Sequence, residues 1–443
     1  MSDLDLSAPL IVGFGVVGRA VARALVARGS VPVVVEDRPT DAGRTVADEI
    51  GVELWEAPDA EALTGRLDTF SLLLPSPGVP DHHPCFAAAE AAGVPMASEF
   101  DLARLWDDRP LVAITGTNGK TTVTMMVTDI LERTGRKAAA VGNTEVPLIE
   151  ALDDAAIEVF VVEASSFRLG HSQRFSPAVA TWINFAPDHL DAHASLDLYR
   201  QAKAAVWAHL TPEAVAIANA EDPEVAALAP EGAVYFALDS STGAAWTVID
   251  GVLTGPERPV VPVTDLPRRQ PHDVANALAA AATAAAAGAS IDAIAEGLRA
   301  FRGLPHRLEL VGEWGGVQWY NDSKATVPQA TEAAASGFES VVLIAGGRNK
   351  GLSLDGLRRT VPPVRAVIAT GDAAGEVTEV FDGLVPVITA DSMVDAITRA
   401  EQAARPGDVV LLSPGCTSYD WYPNYVERGL DFRRLVESEV AGP

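Results

Sequence analysis

The stretch LVAITGTNGKTT, residues 111–122, decides the fold of this 443-residue chain. Its apolar start predicts a short buried strand, and its glycine-rich turn leads into a helical pattern. Glycines let successive backbone N–H groups turn toward an anion, and the start of a helix adds the positive end of its dipole. The spacing Gly-x-x-Gly-Lys-Thr therefore indicates a phosphate loop, shorter than the general form because Ile114 stands where the first glycine would be.

Side chains of this loop are suited to a polyphosphate ligand. Lys120 is placed to reach the outer phosphates, and Thr121 is placed to hold Mg²⁺. The predicted phosphate-binding residues are Gly116, Thr117, Asn118, Gly119, Lys120, Thr121 and Thr122.

Lysine is rare in this chain, and its placement marks further parts of the candidate site. Of the five lysines, four lie in recognisable motifs: Lys120, Lys203, Lys324 and Lys350. A lysine amine can lose its proton and react, whereas an arginine side chain stays charged. We therefore expect these four positions to mark the active site.

The composition is that of a folded globular protein, with 48% hydrophobic and 21% charged residues. A chain of this length exceeds the usual size of one hydrophobic core, so we expect two or three domains. The net charge of −27 argues against a nucleic-acid partner, because a phosphate backbone is bound through clustered Lys and Arg. An anionic ligand must then be held locally, by loops, helix ends and metal.

Cysteine usage and the chain start favour a cytoplasmic protein with no membrane partner. Cys85 and Cys416 form neither a disulfide framework nor a metal-binding pair, so we expect both to be reduced. The N-terminus lacks a basic signal region, and the alanine-rich stretch 276–287 is too short to span a bilayer. We expect that stretch to be a tightly packed helix.

Strand-like and helical runs alternate along the chain, which predicts an α/β protein with mainly parallel sheets. We divide it into segments 1–107, 108–303 and 304–443. The first opens with PLIVGFGVVG, residues 9–18, followed by a helix and a strand that ends at Glu36 and Asp37. This spacing matches a dinucleotide-binding fingerprint, in which an acidic residue accepts a hydrogen bond from a ribose hydroxyl.

The fingerprint alone leaves several functions open. It is typical of an NAD-dependent oxidoreductase, but the same geometry can hold the diphosphate of a UDP-sugar, and the glycines can also serve helix packing alone. The turn Pro75-Ser76-Pro77-Gly78 follows a predicted strand at 70–74 and offers a second loop at the strand ends.

In the middle segment, a predicted strand at 160–162 delivers Glu163, whose carboxylate beside a phosphate loop is a natural Mg²⁺ ligand. The next predicted strand ends near His189, which can bind a second metal or orient the reacting groups. Lys203 lies on the following helix, where a solvated surface lysine is the alternative interpretation.

The third segment repeats this arrangement of strands that end in polar clusters. Such clusters follow the apolar runs near 319, 341 and 409, and the carboxyl ends of parallel strands meet at one edge of a sheet. A substrate carboxylate is therefore expected among Lys350, Ser418 and Thr326.

Taken in order, these motifs resemble the Mur ligases, which build the peptide of bacterial cell-wall precursors. The resemblance covers nearly the whole chain and rests on an ordered set of motifs. They are GTNGKT at 116–121, EASSF at 163–167, DHLD at 188–191, YRQAK at 199–203, LPHR at 304–307 and NDSKAT at 321–326.

The resemblance implies a fold of three α/β domains. They are a Rossmann-like domain for a UDP-sugar, a P-loop ATPase-like domain for ATP and Mg²⁺, and a Rossmann-like domain for the amino acid. It also implies the addition of glutamate to UDP-N-acetylmuramoyl-L-alanine through an acyl phosphate, by a monomer. D-glutamate is the favoured substrate and L-glutamate the alternative.

The resemblance also implies roles for individual residues. Two Mg²⁺ ions are expected, with Lys203 carbamylated, because only a neutral amine can add CO₂ and become an anionic ligand. The implied metal ligands are Thr121, Glu163, His189 and carbamylated Lys203. The implied catalytic residues are Lys120, Asn143, Glu163, His189 and Lys203.

Ligand contacts are implied in the same way for each of the three segments. Nucleotide contacts beyond the phosphate loop are Asn276, Arg307, Asp322 and Lys324. UDP-sugar contacts are Gly13, Gly15, Val16, Val17, Glu36, Asp37, Arg38, Ser76, Pro77 and Gly78. Amino-acid contacts are Thr326, Lys350, Ser418 and Tyr425, the last where the family commonly has Phe.

The chain departs from the family pattern at Glu145, Arg168, Asp273 and Val327. We hypothesise that these changes alter the amino-acid specificity, with ordinary sequence drift as the alternative.

Another Mur ligase would add L-alanine or a diamino acid, but the Asp-Asn-Pro-Arg motif of the diamino-acid ligases is absent. A folylpolyglutamate synthetase would lack the first segment, and a non-catalytic binding module would not need the metal ligands.

Overall fold

The computed structural model describes residues 4–144, 146–187, 193, 195–349 and 351–440. The chain folds into two compact units, Met1–Phe301 and Arg302–Pro443. The described part of the first unit contains two sheets and that of the second contains one. The finer division into domains 1–107, 108–303 and 304–443 stays a prediction.

Helices and strands alternate through both units. The strands are β1 Pro9–Val12, β2 Val33–Glu36, β3 Glu53–Glu56, β4 Leu72–Pro75, β5 Leu111–Thr115, β6 Ala138–Gly142, β7 Val159–Glu163, β8 Val179–Trp182, β9 Val215–Asn219, β10 Val234–Asp239, β11 Trp246–Ile249, β12 Val252–Thr254, β13 Pro259–Pro262, β14 Glu309–Trp314, β15 Val317–Asn321, β16 Val341–Gly346, β17 Val364–Thr370, β18 Val387–Ala390 and β19 Val409–Gly415. The α-helices are α1 Val16–Ala27, α2 Asp41–Ile50, α3 Ala60–Thr64, α4 Pro84–Ala92, α5 Glu99–Trp106, α6 Lys120–Arg133, α7 Leu148–Ala151, α8 Ser166–Leu169, α9 Leu196–Ala204, α10 Pro223–Leu228, α11 Pro271–Ala286, α12 Ile291–Ala300, α13 Pro328–Ala335, α14 Ala374–Phe381, α15 Met393–Ala403 and α16 Tyr425–Leu435. Short 3-10 turns occupy Leu67–Thr69, Ala205–Trp207, Ser240–Thr242, Val263–Asp265 and Asp355–Thr360, and a π-helical turn occupies Val436–Val440.

The first sheet is parallel, with strand order β3-β2-β1-β4. Strand β1 is buried at all of its residues, as its apolar sequence predicts. The chain leaves β1 on one side for β2 and returns on the other as β4, so the strand order reverses beside β1. Ligands of open α/β sheets bind in the crevice at such a reversal.

The second sheet has the order β13-β12-β11-β10-β9-β8-β5-β7-β6 and is parallel except for the β11-β12-β13 meander. Strand β5 lies between β7 and β8, with Ile114 opposite Glu163 and Thr115 opposite Trp182. The segments that follow these three strands therefore leave the sheet at the same edge.

Helix α11 packs against this sheet, and its alanine-rich sequence explains how. Its inward residues from Ala277 to Ala282 are buried, as predicted. Small side chains let the helix approach β8, where the hydroxyls of Thr181 and Thr283 lie 2.7 Å apart. This close approach also brings the N-terminal half of α11 toward the phosphate loop.

Helix α5 joins the two sheets of the first unit. Its Asp101 carboxylate is fully buried and accepts hydrogen bonds from Ser98 N at 2.8 Å, Ser172 Oγ at 2.7 Å and Arg174 N at 2.7 Å. A buried carboxylate is costly unless it is hydrogen-bonded, and here donors from the start of the helix and from residues 172–174 satisfy it.

The third sheet, in the second unit, has the order β14-β15-β19-β16-β17-β18, with antiparallel pairing between β14 and β15 and parallel pairing elsewhere. Strand β19 lies between β15 and β16, with Asn321 opposite Leu412 and Gly346 opposite Gly415. The polar clusters that follow these three strands thus share one edge, as the sequence predicts. In the described ranges, every helix is too short or too polar to cross a membrane.

Candidate active site

The phosphate loop connects β5 to α6, which begins at Lys120. Gly119, the residue before the helix, has a φ of +81°, and a Cβ there would lie 2.4 Å from Asn276 Oδ1. Glycine is therefore required twice over, for its backbone conformation and for the close packing of Asn276. The first N–H groups of α6 have no acceptor within the helix, so they are available to an anion.

Asn184, just after β8, holds this loop in place. Its Oδ1 accepts from Thr117 N at 3.0 Å and from Asn118 N at 2.9 Å, and its Nδ2 donates to Asn118 O at 3.1 Å. No sequence motif described above includes this residue. Asn184 can be identified by its position just after β8, the strand that pairs with β5. This pairing is known only once the order of the strands in the sheet is known.

Two lysine ammonium groups converge on one carbonyl of the loop. Lys120 Nζ donates to Gly116 O at 2.9 Å and to Thr117 O at 2.8 Å, and Lys203 Nζ donates to Gly116 O at 2.7 Å. Lys203 is 1% exposed, and its Nζ lies 4.6 Å from the centroid of the Tyr199 ring. The alternative of a solvated surface lysine at 203 is therefore wrong.

Glu163, the last residue of β7, is buried beside Asn143. Its Oε1 accepts from Asn143 Nδ2 at 2.9 Å, and its carbonyl accepts from Asn143 N at 2.9 Å. Its Oε2 has no hydrogen-bond partner in the described part of the chain. A buried carboxylate oxygen without a partner is costly, and a hard cation with oxygen ligands satisfies it.

The predicted metal ligands are only partly described. Thr121 lies in the first turn of α6, and β5 and β7 bring that turn and Glu163 to one sheet edge. His189 lies outside the described residues. Among the residues that are described, no group of three or more His, Cys, Asp or Glu side chains could hold a metal ion.

Every predicted UDP-sugar residue lines one cleft of about 900 Å³ at the crevice beside β1. The residues are Gly13, Gly15, Val16, Val17, Glu36, Asp37, Arg38, Ser76, Pro77 and Gly78. Asn143 and Arg168 line the same cleft. The cleft therefore extends from the glycine loop after β1 to the residue that holds Glu163.

Close backbone approach explains the glycines of this cleft. Gly13 has a φ of +88°, and a Cβ on Gly18 would lie 2.0 Å from the carbonyl oxygen of Gly13. Ser76 Oγ donates to that same carbonyl at 2.6 Å and joins the two loops of the cleft. Larger residues at either glycine would separate α1 from the end of β1.

Carboxylates gather at one end of the cleft. Glu36 Oε2 accepts from Phe14 N at 2.6 Å, and its Oε1 accepts from Arg38 N at 2.9 Å. Asp37 Oδ2 lies 3.2 Å from His83 Nε2. Glu36 thus fixes the glycine loop, and Asp37 stays exposed at the rim.

In the second unit, Arg307, Asp322, Lys324 and Tyr425 lie near one another. Asp322 accepts from Leu308 N at 3.2 Å and from Ser413 Oγ at 2.7 Å. Burial raises the pKa of the Asp322 carboxyl to about 6, and the hydrogen bonds and Arg307 oppose that rise. Lys324 Nζ lies 5.2 Å from the centroid of the Tyr425 ring.

Thr326 and Ser418 follow the adjacent strands β15 and β19. Gly415 N donates to Ala325 O at 2.9 Å, which ties the two segments together. Lys350, the third predicted member of this pocket, lies outside the described residues. Arg428, which no sequence motif indicates, is buried on α16 and donates to the carbonyls of Ser323 and Cys416, and burial lowers its pKa to about 10.

The departures from the family pattern lie in different environments. Arg168 is buried and pairs with Glu99, at 2.7 Å between Nη1 and Oε2. Asp273 is buried in the first turn of α11 and accepts from Arg268 Nε at 3.0 Å. Val327, just before α13, is 41% exposed, and Glu145 lies outside the described residues.

A phosphate loop beside a buried carboxylate, in a parallel sheet, defines a nucleotide-dependent α/β enzyme. Residues 114–284 match the family described as Mur ligase middle domain, and residues 306–416 match the one described as Mur ligase, glutamate ligase domain. This chain belongs to the Mur ligase family. The family gives no support to the NAD-dependent oxidoreductase alternative.

Two relatives extend the match over nearly the whole chain. Both are named UDP-N-acetylmuramoylalanine--D-glutamate ligase. The protein of Shouchella clausii is 39% identical over 442 residues, which cover 97% of either chain. That of Frankia casuarinae is 40% identical over 448 residues, which cover 97% of this chain and 93% of the relative.

Solved structures confirm the expected α/β architecture. MurF from Acinetobacter baumannii superposes with a TM-score of 0.56 at 19% identity, covering 96% of this chain and 90% of that one. A pseudomurein peptide ligase type C from Methanothermus fervidus gives a TM-score of 0.54 at 18% identity, covering 97% and 99%. At such identities the likeness concerns the fold alone.

Proposed function

We propose that this chain is the ATP-dependent ligase that joins D-glutamate to UDP-N-acetylmuramoyl-L-alanine, a step in peptidoglycan precursor synthesis. One observation carries the proposal. The cleft lined by the predicted UDP-sugar residues extends to Asn143, whose amide holds the buried Glu163 carboxylate near the phosphate loop. A carboxylate at that end of the cleft lies where a phosphoryl group from the loop can reach it.

The residues present fit ATP and Mg²⁺. The helix start at α6 and the Lys120 ammonium suit a polyphosphate, and Oε2 of Glu163, which has no partner in the described part of the chain, suits a hard cation. Thr121 and Glu163 would hold the metal. Mg²⁺ would supply neutralisation of the charge on the phosphates.

The reaction needs no nucleophile from the protein. Lys120 and the loop N–H groups bind the γ-phosphate of ATP, which the carboxylate of the UDP-sugar's alanine attacks to give an acyl phosphate, with ADP as the leaving group. The neutral amine of glutamate then attacks the acyl carbon, and phosphate leaves as the nitrogen loses a proton and the amide forms. Catalysis rests on holding anionic reactants together and cancelling their charge.

Carbamylated Lys203 and a second Mg²⁺, with His189 as a further ligand, are finer parts of the proposal. The burial of Lys203 against Gly116 supports a role in the site, since a surface lysine would not be enclosed beside the phosphate loop. A protein equilibrated with ¹³C-bicarbonate should show a carbamate carbon resonance that is absent in Lys203→Met. The same resonance in both proteins, or in neither, would contradict carbamylation of this residue.

The remaining assignments concern the ligand contacts of the second unit, the glutamate enantiomer, the oligomeric state and the cellular location. Arg307, Asp322 and Lys324 stay predicted nucleotide contacts, and Thr326, Lys350, Ser418 and Tyr425 stay predicted glutamate contacts. We propose D-glutamate over L-glutamate because the relatives described above are named for the D enantiomer. We further propose a monomer that acts in the cytoplasm.

Phosphate release by the purified protein with ATP, Mg²⁺ and UDP-N-acetylmuramoyl-L-alanine tests the function. D-glutamate, L-glutamate, L-alanine and a diamino acid would be supplied in parallel. Release with D-glutamate alone is the expected result. Release with L-glutamate alone would replace the proposed enantiomer, and no release with any of the four would overturn the proposed function.

A further inference from the structure

Arg168 is a buried cation that lines the cleft and has spare hydrogen-bond donors. It lies on α8, directly after the strand that carries Glu163, and is 6% exposed. Its Nη1 donates to Glu99 Oε2 at 2.7 Å, and its Nε has no hydrogen-bond partner in the described part of the first unit. A guanidinium carries five N–H donors, so a single hydrogen bond leaves most of them for a ligand.

Glu99 holds the Arg168 guanidinium in position. This carboxylate is 4% exposed in the first turn of α5, and its Oε1 accepts from Ile149 N at 3.2 Å. Burial raises the pKa of Glu99, and the positive charge of Arg168 opposes that rise. The Phe100 ring, 5.6 Å from the guanidinium carbon, packs on the same side chain.

Charge distinguishes the two ends of the cleft. Glu36, Asp37 and Arg38 line the end near the glycine loop, whereas Arg168 and Asn143 line the other end. The first end has more carboxylates than guanidinium groups, whereas Arg168 supplies a guanidinium at the second, so a substrate carboxylate is favoured at the second end. Guanidinium groups bind carboxylates through parallel N–H donors, so a carboxylate is a fitting ligand for Arg168.

We propose that Arg168 binds the reacting carboxylate of the UDP-sugar substrate, with Glu99 as its positioning residue. The proposal rests on the proposed function, since that function places a carboxylate at this end of the cleft. Arg168 would bring the carboxylate oxygens next to Asn143 before phosphoryl transfer. It would also select substrates that end in a free carboxylate over otherwise identical neutral ones.

Equilibrium binding without ATP tests this assignment. The two probes are UDP-N-acetylmuramoyl-L-alanine and its uncharged carboxamide, which keeps the diphosphate and the sugar. We expect the unsubstituted protein to prefer the acid by about tenfold or more, as a charge-assisted hydrogen-bonded pair implies. In Arg168→Gln the ratio of acid affinity to amide affinity should fall toward one. Arg168→Lys should restore part of the preference for the acid.

A matched control lies at the other end of the same cleft. Arg38→Gln removes a cleft-lining charge, and it should leave the ratio of acid to amide affinity unchanged. The double variant Glu99→Gln with Arg168→Gln avoids an unpaired buried carboxylate and covers the case in which the single variant fails to fold.

The outcomes separate this inference from the proposed function. If Arg168→Gln weakens both probes equally, the guanidinium contacts the diphosphate and the assignment is overturned. If it keeps the full preference for the acid, the assignment is overturned as well. If the unsubstituted protein binds neither probe, the proposed function itself fails.

Discussion

The two glycine loops of the first unit share a backbone plan and differ in the charges around them. One follows β1 and leads into α1 at Val16, and the other follows β5 and leads into α6 at Lys120. Glu36 accepts from a backbone N–H of the first loop, whereas two lysine ammonium groups donate to Gly116 of the second.

This difference shows that side chains from neighbouring elements select the ligand of a glycine loop. Both loops leave helix N–H groups open to an anion. The cations of the second loop favour a polyphosphate, and the carboxylates of the first favour hydroxyl-bearing parts of a ligand. The fingerprint after β1 suggests an NAD enzyme if it is considered alone, because the pattern of glycines carries no information about these charges.

Replacing Lys120 is expected to impair the second loop more than any other single change described below. We expect Lys120→Met to lower kcat/KM by about 100- to 1000-fold, because a preorganised charge at the transferring phosphoryl group is lost. Steady-state kinetics would measure the change. Lys137→Met is the matched control, since that lysine is exposed and outside the motifs. A change of less than threefold in Lys120→Met would contradict the role of this loop.

Asn184→Ala should loosen the same loop without removing charge. Its loss would leave Asn118 N without its side-chain acceptor and Thr117 N with the backbone carbonyl of residue 184 alone, so we expect KM for ATP to rise about tenfold, which corresponds to about one net hydrogen bond. Asn219→Ala is the control, because Asn219 bonds to Ile183 O instead of the loop. Equal KM values in the two variants would remove the special role of Asn184.

Glu36→Gln tests how the carboxylate beside the first loop contributes to ligand binding. One acceptor of the carboxylate is lost, so the glycine loop is held less firmly. We expect KM for the UDP-sugar to rise about three- to tenfold while KM for ATP stays unchanged. The control is Glu49→Gln, whose carboxylate makes an exposed pair with Arg23. An equal rise in both KM values would indicate general damage to the fold.

A further prediction concerns stability instead of kinetics, namely the pH dependence of the stability of the second unit. The pKa of Asp322 is raised to about 6 in the fold from an ordinary value of 3.8, so its folded form binds the proton more tightly. The resulting stability is complete below pH 3.8 and is lost as pH rises through about 6. We estimate about 1–3 kcal/mol for this change.

Thermal unfolding at pH 5 and pH 8 would measure this pH-dependent change in the stability of the second unit. Asp322→Asn cannot ionise, so the transition of the second unit should lose less stability between the two pH values than it does in the unsubstituted protein. Asp372→Asn, which alters an exposed carboxylate paired with Arg348, is the control. The same pH dependence in Asp322→Asn and in the unsubstituted protein would show that Asp322 does not titrate in this range.

Local patterns predicted much of the fold. The bounds of β1 at 9–12 follow from its apolar run, and the position of Glu163 at the end of β7 follows from the strand before it. Strand ends were less certain. The strand predicted at 70–74 is Leu72–Pro75 in the structure, because the turn after it can include a proline at a strand end.

Interactions between distant segments were beyond sequence reasoning. The role of Asn184 depends on the pairing of β5 with β8, and the Arg168–Glu99 pair joins residues 69 positions apart. The burial of Lys203 depends on which face of α9 meets the sheet. None of these features has a local sequence signal, because each is decided by the order in which strands and helices pack.

Isotope transfer would show directly whether the cleft and the phosphate loop bring a carboxylate and ATP together. UDP-N-acetylmuramoyl-L-alanine labelled with ¹⁸O in its alanine carboxylate would be converted with ATP, Mg²⁺ and D-glutamate, and the released phosphate analysed by mass spectrometry. We expect one ¹⁸O atom in each phosphate, because the acyl phosphate oxygen leaves with the phosphoryl group. Amide product accompanied by unlabelled phosphate would contradict it.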